Sequence, residues 1–294
     1  MTWQFTLSGL LIGLLVGMTG MGGGSLLTPI LVIFFGFKPT LAVGTDVLHG
    51  AIFKSFGAAR HRRLGTVHAR LTFWMFLGSG PMSLLGVSAA TWLSHHSSGA
   101  ETIEAYAVGA ALVIGGIGLV LKTLIQRGVQ PDDAPFLLER RDRIVAFSIG
   151  AVCGFVVGLT SVGSGTFFGL IMVLVFPLTL PKIVGTDIFH AAALLWVAGF
   201  GHLVAGNVDL RTMAWLLTGS IPGVLISSQF ALRVPDRVLR LSLASVLMLS
   251  GIKLLDPPGV DYVIAGGAIA AGIAIAAWSL VTRAERRRSV ETPA

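Results

Sequence analysis

A chain of 294 residues that is 54% hydrophobic and only 12% charged, with a mean hydropathy of +0.84, is no soluble domain; such a domain carries about 25% charged residues. Its long continuous apolar runs read as membrane helices and exclude a β-barrel, whose strands alternate over about 10 residues. The formal charge of +7 gathers in a few short loops and at the C-terminus, where it sets topology, and no basic face or motif supports nucleic-acid binding.

The first apolar run covers 3–17 and stops at a glycine cluster, Gly20 to Gly24 with Met21 inside it. A second short run follows over 26–37. Neither reaches the roughly 20 residues that span a bilayer. Two short pieces joined by Gly-rich backbone predict a re-entrant hairpin or a broken helix, and such backbone survives at membrane depth only where protein buries it or it lines a wet cavity. One kinked packing helix is the plainer reading. Spans are predicted over 41–59, 71–93 and 103–125. The loop after the first carries Arg60, Arg62, Arg63 and Arg70, whereas the loop at 94–102 has no Lys or Arg. The polar stretch 122–143 is a linker. Beyond it come two more short pieces, 144–158 and 165–178, then spans at 186–205, 212–231, 238–254 and 262–281, and the basic tail from Arg283 to Arg288. No Lys or Arg precedes the first run and no clear cleavage site follows it, so insertion is expected to rely on the first spans themselves. Cys153 is the single cysteine and reads as a small packing residue, which excludes an intrachain disulfide and a cysteine-built metal site.

The second half repeats the first. GMTGMGGGSLLTPILV (Gly17 to Val32) returns as GLTSVGSGTFFGLIMV (Gly158 to Val173), and VGTDVLH (Val43 to His49) returns as VGTDIFH (Val184 to His190), always 141 residues on. The register holds through His61 and His202, Trp74 and Trp215, and Pro81 and Pro222. That is the mark of internal duplication. Basic loops place 60–70, the linker, 233–240 and the C-terminus in the cytoplasm. Each repeat then holds an odd number of crossings, so the two are expected to be inverted relative to one another. Inverted repeats with broken helices are the architecture of secondary transporters.

Two groups of residues could carry chemistry. The glycine clusters, with Thr19, Gly22, Gly23, Gly24 and Ser25 in one copy and Thr160, Ser161, Gly163, Ser164, Gly165 and Thr166 in the other, combine backbone N–H groups, a helix start and hydroxyls. That constellation suits a small oxyanion. It lacks the Gly-Lys-Ser/Thr ending of a nucleotide loop. Asp46 with His49, and Asp187 with His190, each share a helix face at i and i+3. Such groups inside a span are costly and functional by default. They could couple proton movement or gate a cavity, build a dinuclear metal site, or serve structure through caps and buried hydrogen bonds. Lys54, opposite Leu195 in the repeat register, reads first as a lysine snorkelling to the cytoplasm and second as a cation for an anionic substrate. His61 and His202 are expected to mark the interface, and Trp74 and Trp215 to pack or anchor there. No hydrolytic triad stands out.

At these residues the chain resembles the TauE/SafE sulfite exporter family of membrane permeases. The resemblance rests on G-x-T-G-x-G-G-G from Gly17 to Gly24, its relaxed copy to Gly165, VGTD-x-x-H, GNVD from Gly206 to Asp209, and GSIPG from Gly219 to Gly223; it covers about residues 5–255. It implies secondary transport of small sulfur-containing anions, sulfite or sulfonates such as sulfoacetate, with export as the direction.

The expected fold is an all-α polytopic membrane protein of two inverted repeats. Each has a Gly-broken or re-entrant hairpin and three transmembrane helices. The domains are repeat 1 over 1–126, a cytoplasmic linker over 127–142, repeat 2 over 143–255, an extra helix over 256–282 and a basic tail over 283–294. The expected function is alternating-access transport in the inner (cytoplasmic) membrane, without a cofactor or a catalytic residue. The expected partners are a small anion and the bilayer, with a homodimer allowed for. Divalent-metal transport through the paired D-x-x-H units, or a membrane-embedded enzyme or assembly factor, are the alternatives.

Overall fold

The computed structural model describes residues 2–19, 26–97, 99–125, 136–230, 236–258, 260 and 266. Gly22, Gly23, Gly24, Ser25 and the side chain of Thr19 lie outside the described residues, as do the tail and nearly all of the expected span 262–281. The chain divides into a compact unit over 1–255 and a second over 256–294.

Among the described residues the first unit is built of helices alone, in two runs of five. The first run is α1 (Thr2–Thr19), α2 (Leu27–Phe35), α3 (Pro39–Arg63), α4 (Ala69–His96) and α5 (Ala100–Ile125). The second is α6 (Arg140–Thr160), α7 (Phe167–Val175), α8 (Leu180–Val204), α9 (Leu210–Phe230) and α10 (Asp236–Leu255). The sequence repeat survives as geometry. α3 and α8 begin and end 141 positions apart, α1 and α6 end at the paired Thr19 and Thr160, and α4 and α9 each enclose a proline, Pro81 and Pro222. Proline in the first turn opens α3 and α8, where its missing N–H is harmless. α6 begins where the Glu139 N–H donates to Asp142 at 3.0 Å.

Four helices, α4, α5, α6 and α8, are long and apolar enough to cross a membrane. α6 corrects the expectation of a short piece at 144–158. It starts at Arg140 and runs 21 residues, so the break in repeat 2 joins a span-length helix to a nine-residue one. The outer faces are apolar, with Phe34, Phe56, Phe73, Trp92 and Val152 exposed. The interior holds Asp46, Lys54, Lys122, Asp187 and His190. This distribution suits a hydrocarbon solvent, in which polar groups belong to the bundle interior.

Small residues let the helices touch. A Cβ on Gly150 would meet the Met75 carbonyl, one on Gly154 would meet Ser79, and one on Gly158 would meet Ser83, so α6 runs alongside α4 in parallel register. The same arrangement recurs 141 positions away, with Gly9 against Leu216 and Gly13 against Ser220 in α1 and α9. Close backbone approach through small residues is the usual packing of membrane helices. Each repeat therefore lends its first helix to the other repeat's fourth. α3 and α8 pack directly on each other and run in opposite directions: Gly50 faces Leu195 and Gly57 faces Ile188.

Candidate functional site

The break after α6 closes on the middle of α3. Ser161, Gly163 and Gly165 have φ of 63°, 116° and 122°. Glycine takes such angles freely, whereas a serine there costs roughly 1–2 kcal/mol. Ser161 is held by Asp46: its Oγ donates to Asp46 Oδ2 at 2.7 Å. From α2, Thr28 donates to the same oxygen through Oγ1 at 2.6 Å and through its N–H at 3.2 Å. Two turns along α3, Lys54 Nζ donates to the Ser164 carbonyl at 2.5 Å and to its Oγ at 2.9 Å. One turn of repeat 2 thus grips an anion and a cation of repeat 1. Among the described residues, the Asp46 Oδ1 and Thr166 Oγ1 atoms are buried without a hydrogen-bond partner. Lys54 is 4% exposed, so it does not snorkel; burial between α3 and the break keeps its ammonium inside the bundle.

Asp187 holds the equivalent place on α8 but in different company. The counterpart of Thr28 is Gly169 on α7, which has no hydroxyl. Into the space a side chain would take there comes Lys122 of α5. A Cβ on Gly169 would fall on Lys122 Nζ and stand 2.9 Å from Asp187 Oδ2. Lys122 is 1% exposed within α5 and is no part of a linker, contrary to the expected polar stretch from 122. Lys54 acts electrostatically on both Asp46 and Asp187, and Lys122 acts on Asp187. Two cations and two anions therefore share one buried field. Charges taken from water persist only with such compensation. A signal for Lys122 was present in the sequence, since Gly115, Gly118 and Lys122 recur at helical spacing. They form the face that meets Thr166, Leu170 and Gly169.

The histidines of the D-x-x-H units point elsewhere, into a matched pair of contacts. His49 Nε2 meets Ser220 Oγ at 2.9 Å, and His190 Nε2 meets Ser79 Oγ at 2.9 Å. Ser79 and Ser220 are themselves repeat counterparts, though the sequence register assigns neither of them a contact. Asp46 and His49 thus contact different elements, whereas His190 meets Ser79 of α4 and also the Phe168 ring of α7, next to the Gly169 beside Asp187. Among the described residues no group of three or more His, Cys, Asp or Glu side chains is placed to hold a metal. His202 is fully buried, and its Nε2 lies 2.9 Å from the Gly158 carbonyl, so it ties α8 to the end of α6 rather than marking an interface. His61 is partly exposed and contacts Thr66 Oγ1 at 3.0 Å. Trp74 packs against the core with Arg143 over its ring, and Trp215 stays exposed. Cys153 is buried, as a packing residue should be.

A polytopic helical membrane protein whose duplicated halves enclose buried, mutually compensated charges belongs to the class of membrane transporters. The family model described as "Sulfite exporter TauE/SafE" matches residues 5–254, and the chain belongs to that family. It is similar to "Probable membrane transporter protein YjnA" of Bacillus subtilis (strain 168), at 38% identity over 255 residues, 87% of this chain and 100% of the relative. Two further proteins of that organism match more distantly. "Probable membrane transporter protein YdhB" is 21% identical over 83% of this chain and 96% of its own, and "Probable membrane transporter protein YunE" is 23% identical over 84% and 94%. No solved structure matches the chain. The protein is a multi-pass membrane transporter and not an enzyme.

Proposed function

We propose that the protein is a secondary transporter that exports small sulfur-containing anions, sulfite or sulfonates, across the cytoplasmic membrane. The observation that carries this reading is the grip of Ser161 and Ser164 in one repeat on Asp46 and Lys54 in the other. A small sulfur oxyanion needs cations and hydroxyl or N–H donors held apart from water. The break supplies Ser164 and Thr166, while α3 and α5 supply Lys54 and Lys122. Asp46 and Asp187 balance those cations while the site holds no anion, and coupling to proton movement runs through one or both of them. His49 and His190 take a supporting role beside them through Ser220 and Ser79.

Alternating access follows from the same contacts. The two repeats are inverted, a reading supported by the opposed directions of α3 and α8 across their mutual contact. Rocking one repeat against the other then carries the break and α3 apart on one side and together on the other. The glycine cluster of repeat 1, with Gly22 to Ser25, lies outside the described residues and enters this proposal through the sequence repeat alone.

The test is flux of sulfite and of sulfoacetate in proteoliposomes, with and without a pH gradient, for the intact chain and for Lys54→Gln. Gradient-driven flux that falls at least about tenfold in the variant, the scale of a lost charged hydrogen bond, supports the reading. Absence of flux for both anions from a folded protein refutes it.

A further inference from the structure

We infer that the two repeats divide the work, with Asp46 a fixed anchor and Asp187 an exchangeable carboxylate that gives up Lys122 to the transported anion and takes up a proton as it does so. The inference rests on the proposed transport of a small anion through this site and adds the residue that couples it. It is carried by an asymmetry between counterparts. Asp46 Oδ2 accepts three hydrogen bonds, two from Thr28 and one from Ser161. At the matching positions repeat 2 has Gly169 for Thr28, and repeat 1 has Gly20 for Ser161, so neither hydroxyl exists for Asp187. Asp187 is 4% exposed, and its Oδ1 is buried without a hydrogen-bond partner among the described residues.

The groups that face Asp187 are Lys122 from α5, Lys54 from α3, Cys153 from α6 and the bare Gly169 backbone from α7, while Arg240 of α10 acts on Lys122 in turn. The cations around this carboxylate outnumber its own charge, and Lys122 Nζ lies with Asp187 Oδ2 at the bare Gly169 backbone. An entering anion is held by Lys122 and Lys54 in place of the carboxylate. A further anion in that field exceeds what the two lysines compensate at low dielectric, so Asp187 leaves the anionic form by binding a proton from solution. No bond other than that O–H is made or broken. Asp46, tied to Thr28 and Ser161 by three hydrogen bonds, stays fixed in place and takes no part in the exchange.

The experiment counts protons. Sulfoacetate, which carries no group titrating near neutrality, is added to the purified intact protein in weakly buffered detergent solution. Binding is followed by calorimetry and proton uptake by an indicator dye. The intact chain and the exposed control Glu101→Gln are expected to take up about one proton per bound anion. Asp187→Asn should bind with no uptake and with an affinity independent of pH. Lys122→Gln should bind about tenfold to a hundredfold more weakly, as loss of a charged hydrogen bond predicts, and Lys122→Arg should recover most of that loss. Uptake that persists in Asp187→Asn, or an unchanged affinity in Lys122→Gln, overturns the inference while leaving the transporter reading standing. An intact chain that binds neither sulfoacetate nor sulfite removes the reading and the inference together.

Discussion

Ser161 sits at a left-handed backbone angle in repeat 2 and donates its hydroxyl at 2.7 Å to Asp46 in repeat 1. Strain in the one and burial of the other are thereby settled by a single contact between repeats. The substitution pair Ser161→Gly and Ser161→Ala separates the two terms. Both lose a hydrogen bond to a buried carboxylate, at about 1.5–3 kcal/mol, and only alanine keeps the roughly 1 kcal/mol strain. The alanine variant should therefore unfold below the glycine variant in a thermal melt in detergent. Equal melting temperatures would mean that the angle costs nothing here.

Asp46 should behave as an anchor in stability as well as in transport. Asp46→Asn keeps an oxygen to accept from Thr28 and Ser161, whereas Asp46→Ala leaves those buried donors with no acceptor. Alanine should cost at least about 3 kcal/mol, the scale of breaking a buried charged network, and asparagine distinctly less. Denaturant titration decides between them; an alanine variant as stable as asparagine would show that the hydroxyls find other partners.

The serine–histidine contacts offer a test of the pseudo-symmetry. Ser79→Ala and Ser220→Ala each strip the Nε2 partner from a buried imidazole, at 2.9 Å in both cases. Each should lower stability by about 1–3 kcal/mol, and by similar amounts, because the two sites are built alike. A large effect at one position and none at the other would show that the halves are not energetically equivalent.

Glycines at helix contacts are predicted to differ sharply by position. At Gly154 a Cβ would stand 2.5 Å from backbone atoms of Ser79, and backbone cannot rotate away. Gly154→Ala should force α4 and α6 apart and cost about 1–3 kcal/mol, the usual range for overpacking. At Gly115 the nearest atoms are 3.5 Å away, an ordinary contact. There alanine should be neutral or should stabilise the helix by up to about 1 kcal/mol. The order of the two melting temperatures checks the contact geometry directly.

Much of this architecture was legible before any coordinates. The 141-residue register predicted paired helices, and α3 and α8 obey it at both ends. Asp46 and Asp187 lie buried on α3 and α8, and the second glycine break separates α6 from α7. What stayed hidden depends on contacts between repeats. Lys122 reads as the edge of a polar linker because its neighbours, Gly169 and Asp187, lie about 50 residues and more downstream. Lys54 reads as a snorkelling side chain until Ser164, 110 positions away, is seen to accept from it. His202 is hidden in another way: the end of a span looks exposed in one dimension, and Gly158 of the same repeat covers it in three.

The two acidic residues at the start of α5 supply the last contrast. Glu101 pairs with Lys38 at 3.0 Å, with side chains 65% and 74% exposed. Glu104, one turn on, is buried and accepts from Thr40 Oγ1 at the start of α3. The exposed pair is screened by water and should be worth less than about 1 kcal/mol, so Glu101→Ala should leave the melt almost unmoved. Removing Glu104 strands a buried hydroxyl and should cost about 1–3 kcal/mol. Thr40→Val should show little further loss in a Glu104→Ala background, because the two residues share one interaction. Additive losses in that double-mutant cycle would show that Thr40 and Glu104 do not stabilise each other.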